Sequence, residues 1–154
     1  MIKKLLASVR EYKKPSILAP IYISLEVVME VVIPLLMAKL IDNGLEKGDL
    51  SYVFIVGGIL VLCTVISLLF GVLSGSCAAE ASAGFAKNLR HDMFKKVQTF
   101  SFSNIDKFST ASLVTRLTTD VSNLQNAYQM IIRIAVRSPM MLIFSVIMAV
   151  RVNA

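Results

Sequence analysis

Glu26 and Glu30 are the residues of this sequence whose type and spacing point most directly to chemistry. They lie four positions apart in a long apolar run, so a helix there places both carboxylates on one face. An acid within hydrocarbon costs about 2–3 kcal/mol on insertion scales. The pair therefore requires a watery cavity, a cationic partner or protonation. With Met29 it forms a candidate cavity for cationic or polar molecules, and the alternative is a structural pairing without a role in selectivity.

Residues for catalysis or metal binding are scarce elsewhere in the sequence. His91 is the single histidine and stands among charged residues, which is typical of a solvated position. There is no cluster of Cys and His with the spacing of a metal site. The phosphate-binding pattern G-x-x-x-x-G-K-[ST] is also absent, because no Gly-Lys dipeptide occurs. We therefore expect no catalytic residue, no metal and no cofactor within these 154 residues.

Composition points to a membrane protein. The mean hydropathy is +0.72 and 56% of the residues are hydrophobic, well above the globular range. The calculated pI is about 9.5, but the basic residues gather beside the apolar runs and are not interleaved with aromatic residues. This pattern indicates contact with a lipid bilayer and excludes nucleic acid as a partner.

The apolar periodicity predicts an all-α membrane fold with three long transmembrane helices. A single helix from 51 to 99 would measure about 73 Å, more than twice the thickness of the hydrocarbon, so it must project into water. The third helix likewise begins in water, and a short helix joins the two. The predicted segments are an N-terminal stretch 1–14, a first span at about 15–41, a loop 42–50, a second helix at about 51–99, a polar segment 100–119 and a third helix at about 120–152.

Lys and Arg residues set the expected orientation. Residues 1–14 carry five of them, segment 87–137 carries eight, and loop 42–50 carries Lys47 alone. The positive-inside rule therefore places the N-terminus and the polar segment in the cytoplasm and the loop outside. We expect Arg133 and Arg137 near the membrane edge.

Small residues recur every four positions along the second helix. Such a face allows another helix to approach closely in lipid, so we predict a helix-packing face there. Its members are Ser67, Gly71, Gly75, Ala79 and Ala83.

The stretch FSTASLVTRLTTD (108–120), which overlaps the end of the polar segment, predicts a short helix at the tip of a helical hairpin. Leu113 and Val114 beside Arg116 would form a compact surface there for a soluble domain. The candidate caps are Ser109 or Thr110 for the short helix, and Thr118, Thr119 or Asp120 for the next long helix.

The stretch NLRHDMFKKVQTFSFSNIDKFSTASLVTRLTTDVSNLQ resembles the first intracellular loop in the transmembrane domain of an ATP-binding cassette (ABC) exporter. PLLMAKLIDNGLEKGDL resembles the end of the family's first helix with its external loop, and RSPMMLIFSVIMAV resembles its third helix. The sequence of residues 108–120 resembles heterodimeric bacterial multidrug members in particular. The similarity covers nearly the whole chain.

This resemblance implies a role for each part of the loop. The short helix corresponds to the coupling helix that docks on a nucleotide-binding domain, with Ala111 where many members have Gly. Its residues are Thr110, Ala111, Ser112, Leu113, Val114, Thr115 and Arg116, with Asp120 at the start of the third helix.

The family further implies three more helices, a nucleotide-binding domain that uses ATP and Mg²⁺, a second half-transporter in a homo- or heterodimer, and a bacterial plasma (inner) membrane. By this resemblance we expect the chain to be the N-terminal part of a transmembrane domain, with Glu26, Met29 and Glu30 in its substrate cavity. Two alternatives stay open. One is a self-contained three-helix scaffold or regulatory subunit that docks a soluble partner, and the other is a proton-coupled or ion-conducting oligomer.

Overall fold

The computed structural model describes residues 7–99 and 109–152, and every regular element within these ranges is helical. Three of the helices are long and apolar enough to cross a membrane. The predicted all-α membrane fold with three long helices is therefore confirmed. Residues 1–6 of the predicted N-terminal stretch and 100–108 of the predicted polar segment lie outside the described residues.

The first two long helices are joined by a compact turn. Helix α1 spans Lys13–Leu40, a π-helical turn follows at Ile41–Leu45, and helix α2 spans Leu50–Gln98. With 49 residues, α2 is about 73 Å long. The predicted spans, 15–41 and 51–99, differ from these helices by one or two residues at each end.

The turn depends on Gly48 and Asp49. Gly48 has a φ of +66°, a backbone conformation that favours glycine. The carboxylate of Asp49 then caps α2 by accepting a hydrogen bond of 3.2 Å from the backbone N–H of Tyr52. The chain thereby reverses direction in a few residues, which sets α1 and α2 side by side.

A short helix leads into the third long helix without a break. Helix α3 (Thr110–Thr115) continues through a π-helical turn at Arg116–Asp120 into helix α4 (Val121–Val152). The prediction that Thr118, Thr119 or Asp120 caps a separate helix is therefore wrong. The Thr118 hydroxyl instead donates back to the Val114 carbonyl at 2.7 Å, so it supports the preceding turn and does not begin a new helix.

Helices α1 and α2 pack closely where α2 has small residues. Ala19, Ile23 and Val27 of α1 are fully or almost fully buried. The buried hydroxyl of Ser74 donates to the Ala19 carbonyl at 3.2 Å, which ties the α2 side chain to the α1 backbone. Close approach and an interhelical hydrogen bond are the two interactions that associate helices in lipid.

The packed stripe of α2 differs from the predicted ladder. Ala79 and Ala83 are exposed and a methyl group at Gly75 would meet nothing within 4 Å, whereas Ser74 and Ala78 are fully buried. A four-residue step advances about 40° beyond a full turn, so the four steps from Ser67 to Ala83 turn about 160° around a straight helix and cannot stay on one face. Among the described helices, Gly71 faces α1, whereas Gly75, Ala79 and Ala83 do not contribute to the packing of α2 on α1. The helix-packing face as a whole stays a prediction.

The N-terminal residues pack against the C-terminal part of α2. Arg10 forms an ion pair with Asp92 at 2.8 Å, and the buried Asn88 amide donates to the Ser8 carbonyl at 3.0 Å. Phe85 stacks on Tyr128 with a centroid distance of 4.7 Å. A small apolar core forms here, and its buried members are Val9, Phe85, Ala86, Leu89 and Val121.

Gly84 provides the space for the Tyr12 ring in this core, because a methyl group at Gly84 would overlap the ring. We expect Gly84→Ala to lower the thermal unfolding midpoint of the detergent-solubilised protein, with a cost of about 1–3 kcal/mol from overpacking. The matched control is Gly58→Ala, also within α2, where a methyl group meets nothing within 4 Å. Because alanine favours helices, the control should stabilise by up to about 1 kcal/mol. Equal behaviour of the two variants would contradict the packing of Tyr12 on Gly84.

Candidate substrate cavity and docking helix

Glu26 and Glu30 share one arginine from the third long helix. Arg137 of α4 donates from Nη1 to Glu26 Oε1 at 3.2 Å and from Nη2 to Glu30 Oε1 at 2.6 Å. Both carboxyl side chains are mostly buried, at 13% and 27% exposure. Of the interpretations open from the sequence, the structure selects a cationic partner. Arg137 consequently lies level with the acids of α1.

Helix geometry positions this cluster. The four-residue spacing puts both acids on the α4-facing side of α1, where one planar guanidinium can reach both. Gly71 of α2 provides the space on the other side, since a methyl group there would lie 3.2 Å from Glu26 Oε1. All three long helices therefore meet at this cluster.

The cluster is incompletely satisfied. Each carboxylate uses its Oε1 atom for Arg137, and Oε2 of Glu26 and of Glu30 is buried without a hydrogen-bond partner among the described residues. A buried carboxylate oxygen without a donor is costly in a low-dielectric setting. The site is therefore equipped to accept further hydrogen bonds.

Two cavities border the cluster. The first, of about 540 Å³, lies between α1 and α4 and is lined by Arg133 and Arg137 with the amides of Asn126 and Gln129. The second, of about 430 Å³, lies among all three helices and includes Glu26, Arg133 and the hydroxyl residues Thr64 and Ser67. Met29, a predicted cavity residue, lines neither of these two cavities. Glu30 does not line them either, but it contacts Arg137, which lines the first.

Arg133 and Arg137 are functional candidates that the sequence analysis did not assign to the cavity. The sequence contains a signal that could have identified them, because Arg133 and Arg137 have the same four-residue spacing in α4 as Glu26 and Glu30 in α1. Ser67 and Gly71 were predicted to pack against a helix, and in the structure both line the second cavity.

The predicted docking residues lie together in α3 and the π-helical turn, at the N-terminal end of α4. The Ser109 hydroxyl caps α3 by accepting from the Ser112 N–H at 3.2 Å, as one of the two candidate caps. Val114 is 54% exposed, Leu113 is half-buried, and Ala111, Arg116 and Asp120 are exposed. The side chain of Thr110 lies outside the described residues. The Thr115 hydroxyl donates to the Ala111 carbonyl at 3.0 Å and so stays with its own helix.

Comparison with known proteins connects this architecture to transporters. Residues 17–154 match the family model of the ABC transporter transmembrane region. The chain is 36% identical over 152 residues to the uncharacterized ABC transporter ATP-binding protein YfiB of Bacillus subtilis, which covers 99% of the chain and 26% of that protein.

Other relatives match over a shorter stretch. The ATP-dependent lipid A-core flippase of Albidiferax ferrireducens is 32% identical over 125 residues, 80% of the chain and 21% of the relative. The uncharacterized ABC transporter ATP-binding protein MT1311 of Mycobacterium tuberculosis is 30% identical over 122 residues, 79% of the chain and 21% of that protein. The chain thus spans about a quarter of the length of the relatives that it matches.

The ion pairs of Arg137 with Glu26 and Glu30 allow a prediction about the stability of the fold. Replacing Arg137 with Gln leaves two carboxylates uncompensated, and breaking a buried pair in this way costs about 3–5 kcal/mol. Because Arg137 is 39% exposed, we expect a smaller loss, about 2 kcal/mol, seen as a lower thermal unfolding midpoint. The triple variant Glu26→Gln, Glu30→Gln, Arg137→Gln removes all three charges and should recover most of the loss. A triple variant no more stable than Arg137→Gln would contradict the ion-pair assignment.

Proposed function

The chain belongs to the ABC transporter transmembrane family, and from this premise we propose that it forms part of the membrane passage of an ATP-driven exporter. Its second proposed task is to contact a nucleotide-binding domain. The continuity from cavity to docking helix supports the proposal: α4 carries Arg137 of the cluster and runs without a break into α3. A displacement of α3 would therefore move a residue of the cavity directly.

The docking contact is proposed for α3, with Val114 at its centre. An apolar side chain that is 54% exposed on a capped, six-residue helix suits insertion into a cleft of another domain. Arg116 and Asp120 lie on the adjoining π-helical turn, where they would add polar contacts at the rim. ATP and Mg²⁺ would be held by that other domain, since the P-loop pattern does not occur in these 154 residues.

The substrate pathway is proposed for the region around Glu26 and Glu30. Carboxylate oxygens without donors, next to cavities of several hundred Å³, support recognition of molecules that donate hydrogen bonds or carry positive charge. In this proposal the exporter is multidrug- or lipid-directed. It works with a second half-transporter in a bacterial plasma membrane.

The docking proposal predicts the effect of Val114→Asp in the transporter subunit that carries this chain. A charge in the apolar contact should lower substrate-stimulated ATP hydrolysis at least about tenfold, through a loss of the order of 1.4 kcal/mol at the interface. Expression and the thermal unfolding midpoint should stay unchanged, because Val114 is exposed. The measurement is ATPase activity with and without transported substrate.

Asn123→Asp is the control for this experiment. It adds the same charge at an exposed position of α4, beyond the π-helical turn. It should leave stimulation unchanged. Full stimulation in Val114→Asp would refute α3 as the docking contact.

We also propose the orientation expected from the charge counts, with loop 42–50 outside the cell and the segment around α3 in the cytoplasm. It predicts which cysteines can be labelled from outside. In a background with Cys63→Ser and Cys77→Ser, a membrane-impermeant maleimide should label Lys47→Cys in intact cells. It should label Gln98→Cys only after the membrane is permeabilised. Labelling of Gln98→Cys in intact cells would reverse the proposed orientation.

A further inference from the structure

An acid and a base face the same cavity without pairing. The cavity of about 430 Å³ is lined by Glu26 from α1 and Arg133 from α4, and no hydrogen bond or ion pair joins them. Glu26 uses Oε1 for Arg137, and its buried Oε2 has no partner among the described residues. Arg133 also forms no hydrogen bond or ion pair with any described residue.

The formal charges around this cavity cancel. Glu26 and Glu30 carry two negative charges, and Arg133 and Arg137 carry two positive charges. A ligand with a single charge would leave that charge uncompensated in an apolar setting, which is expensive. A ligand with both charges keeps the cluster neutral while its ammonium meets the free carboxylate oxygen and its anionic group meets the free guanidinium.

The rest of the lining selects for an apolar portion of the ligand. Ile33, Leu68 and Val72 complete the cavity together with the hydroxyl residues Thr64 and Ser67. Leu68 and Val72 are 67% and 59% exposed, on an apolar helix long enough to cross a membrane. The cavity mouth is therefore bordered by side chains that suit contact with lipid chains.

We propose that this cavity binds a zwitterionic amphiphile, which carries an ammonium group, a phosphate or carboxylate group and an apolar tail. The ammonium binds the Glu26 carboxylate and the anionic group binds Arg133, with the Thr64 and Ser67 hydroxyls as further hydrogen-bonding groups. This inference deepens the proposed substrate pathway and rests on it, since it names the class of molecule that the pathway accepts.

The test measures equilibrium binding of radiolabelled lysophosphatidylethanolamine to the complete transporter subunit in detergent, without ATP. Two comparison lipids carry one charge each: lysophosphatidylglycerol supplies the phosphate alone and dodecylamine the ammonium alone. Glycerophosphoethanolamine, which is also a phosphodiester, carries one charge of each sign without a tail. We expect lysophosphatidylethanolamine to bind at least about tenfold more tightly than each of the three, since each lacks one charge-assisted or apolar contact.

Single substitutions should change selectivity in opposite directions. Glu26→Gln should weaken lysophosphatidylethanolamine about tenfold and tighten lysophosphatidylglycerol, whose negative charge then balances the site. Arg133→Gln should weaken lysophosphatidylethanolamine equally and tighten dodecylamine, whose positive charge then balances it. Lys39→Gln and Glu46→Gln remove exposed charges outside the cavity and should have no effect. Ser67→Leu fills the cavity without altering any charge, so it should abolish binding even where Glu26→Gln fails to fold.

Three results would overturn the inference: equal affinity for a singly charged lipid, equal affinity for glycerophosphoethanolamine, or unchanged lysophosphatidylethanolamine binding in Ser67→Leu. The last result would mean that the lipid binds outside this cavity. Binding is measured without ATP, so it is independent of docking. If lysophosphatidylethanolamine does not bind the unmodified subunit, this ligand class is rejected. If Val114→Asp still lowers substrate-stimulated ATP hydrolysis as predicted, the proposed coupling function stands nevertheless.

Discussion

The arrangement of the three long helices depends on the requirement that charges within apolar helices find partners. Glu26 and Glu30 need a partner in this setting, and Arg137 of α4 provides one by donating to one oxygen of each. Gly71 lets α2 approach the same carboxylate that Arg137 binds. Nonpolar side chains alone could pack these helices in several rotations, because lipid is as apolar as the side chains. The shared arginine fixes which face of α1 meets α4.

A second contact region lies far along α2 from this cluster, where the N-terminal residues pack on it. Arg10 and Asp92, together with the stacked rings of Phe85 and Tyr128, join the N-terminal segment, α2 and α4. Arg90 of α2 adds a hydrogen bond of 3.1 Å to Ser122 near the start of α4. The helices are thus connected both at the charge cluster and next to α3. In the proposed transporter, a force applied at α3 would reach the cavity through α4 as a rigid element and not through a flexible loop.

Much of the fold follows from local sequence, and the errors have two physical origins. Long apolar runs and Asn-Gly and Gly-Asp turns predict α1 and α2 to within two residues. Local rules fail where distant segments decide. Arg137 lies 107 residues from Glu30, so spacing alone indicated that a cation was one solution without identifying it. The second origin is local. Thr118 satisfies the pattern of a helix cap, yet the helix continues through it and its hydroxyl donates to the carbonyl of Val114, four residues earlier.

The charge cluster is informative because apolar side chains could fill the same space between the helices. Replacing a buried ionic group with apolar residues of similar volume is often neutral or stabilising, by about 1–4 kcal/mol. Here the cost is increased, since Oε2 of both acids lacks a donor and Arg133 shares a cavity with Glu26 without pairing to it. A purely structural cluster would gain from joining those free groups. Their separation across an open cavity is the arrangement expected of groups that a ligand must satisfy, and the balance of charges favours a ligand that is itself neutral overall.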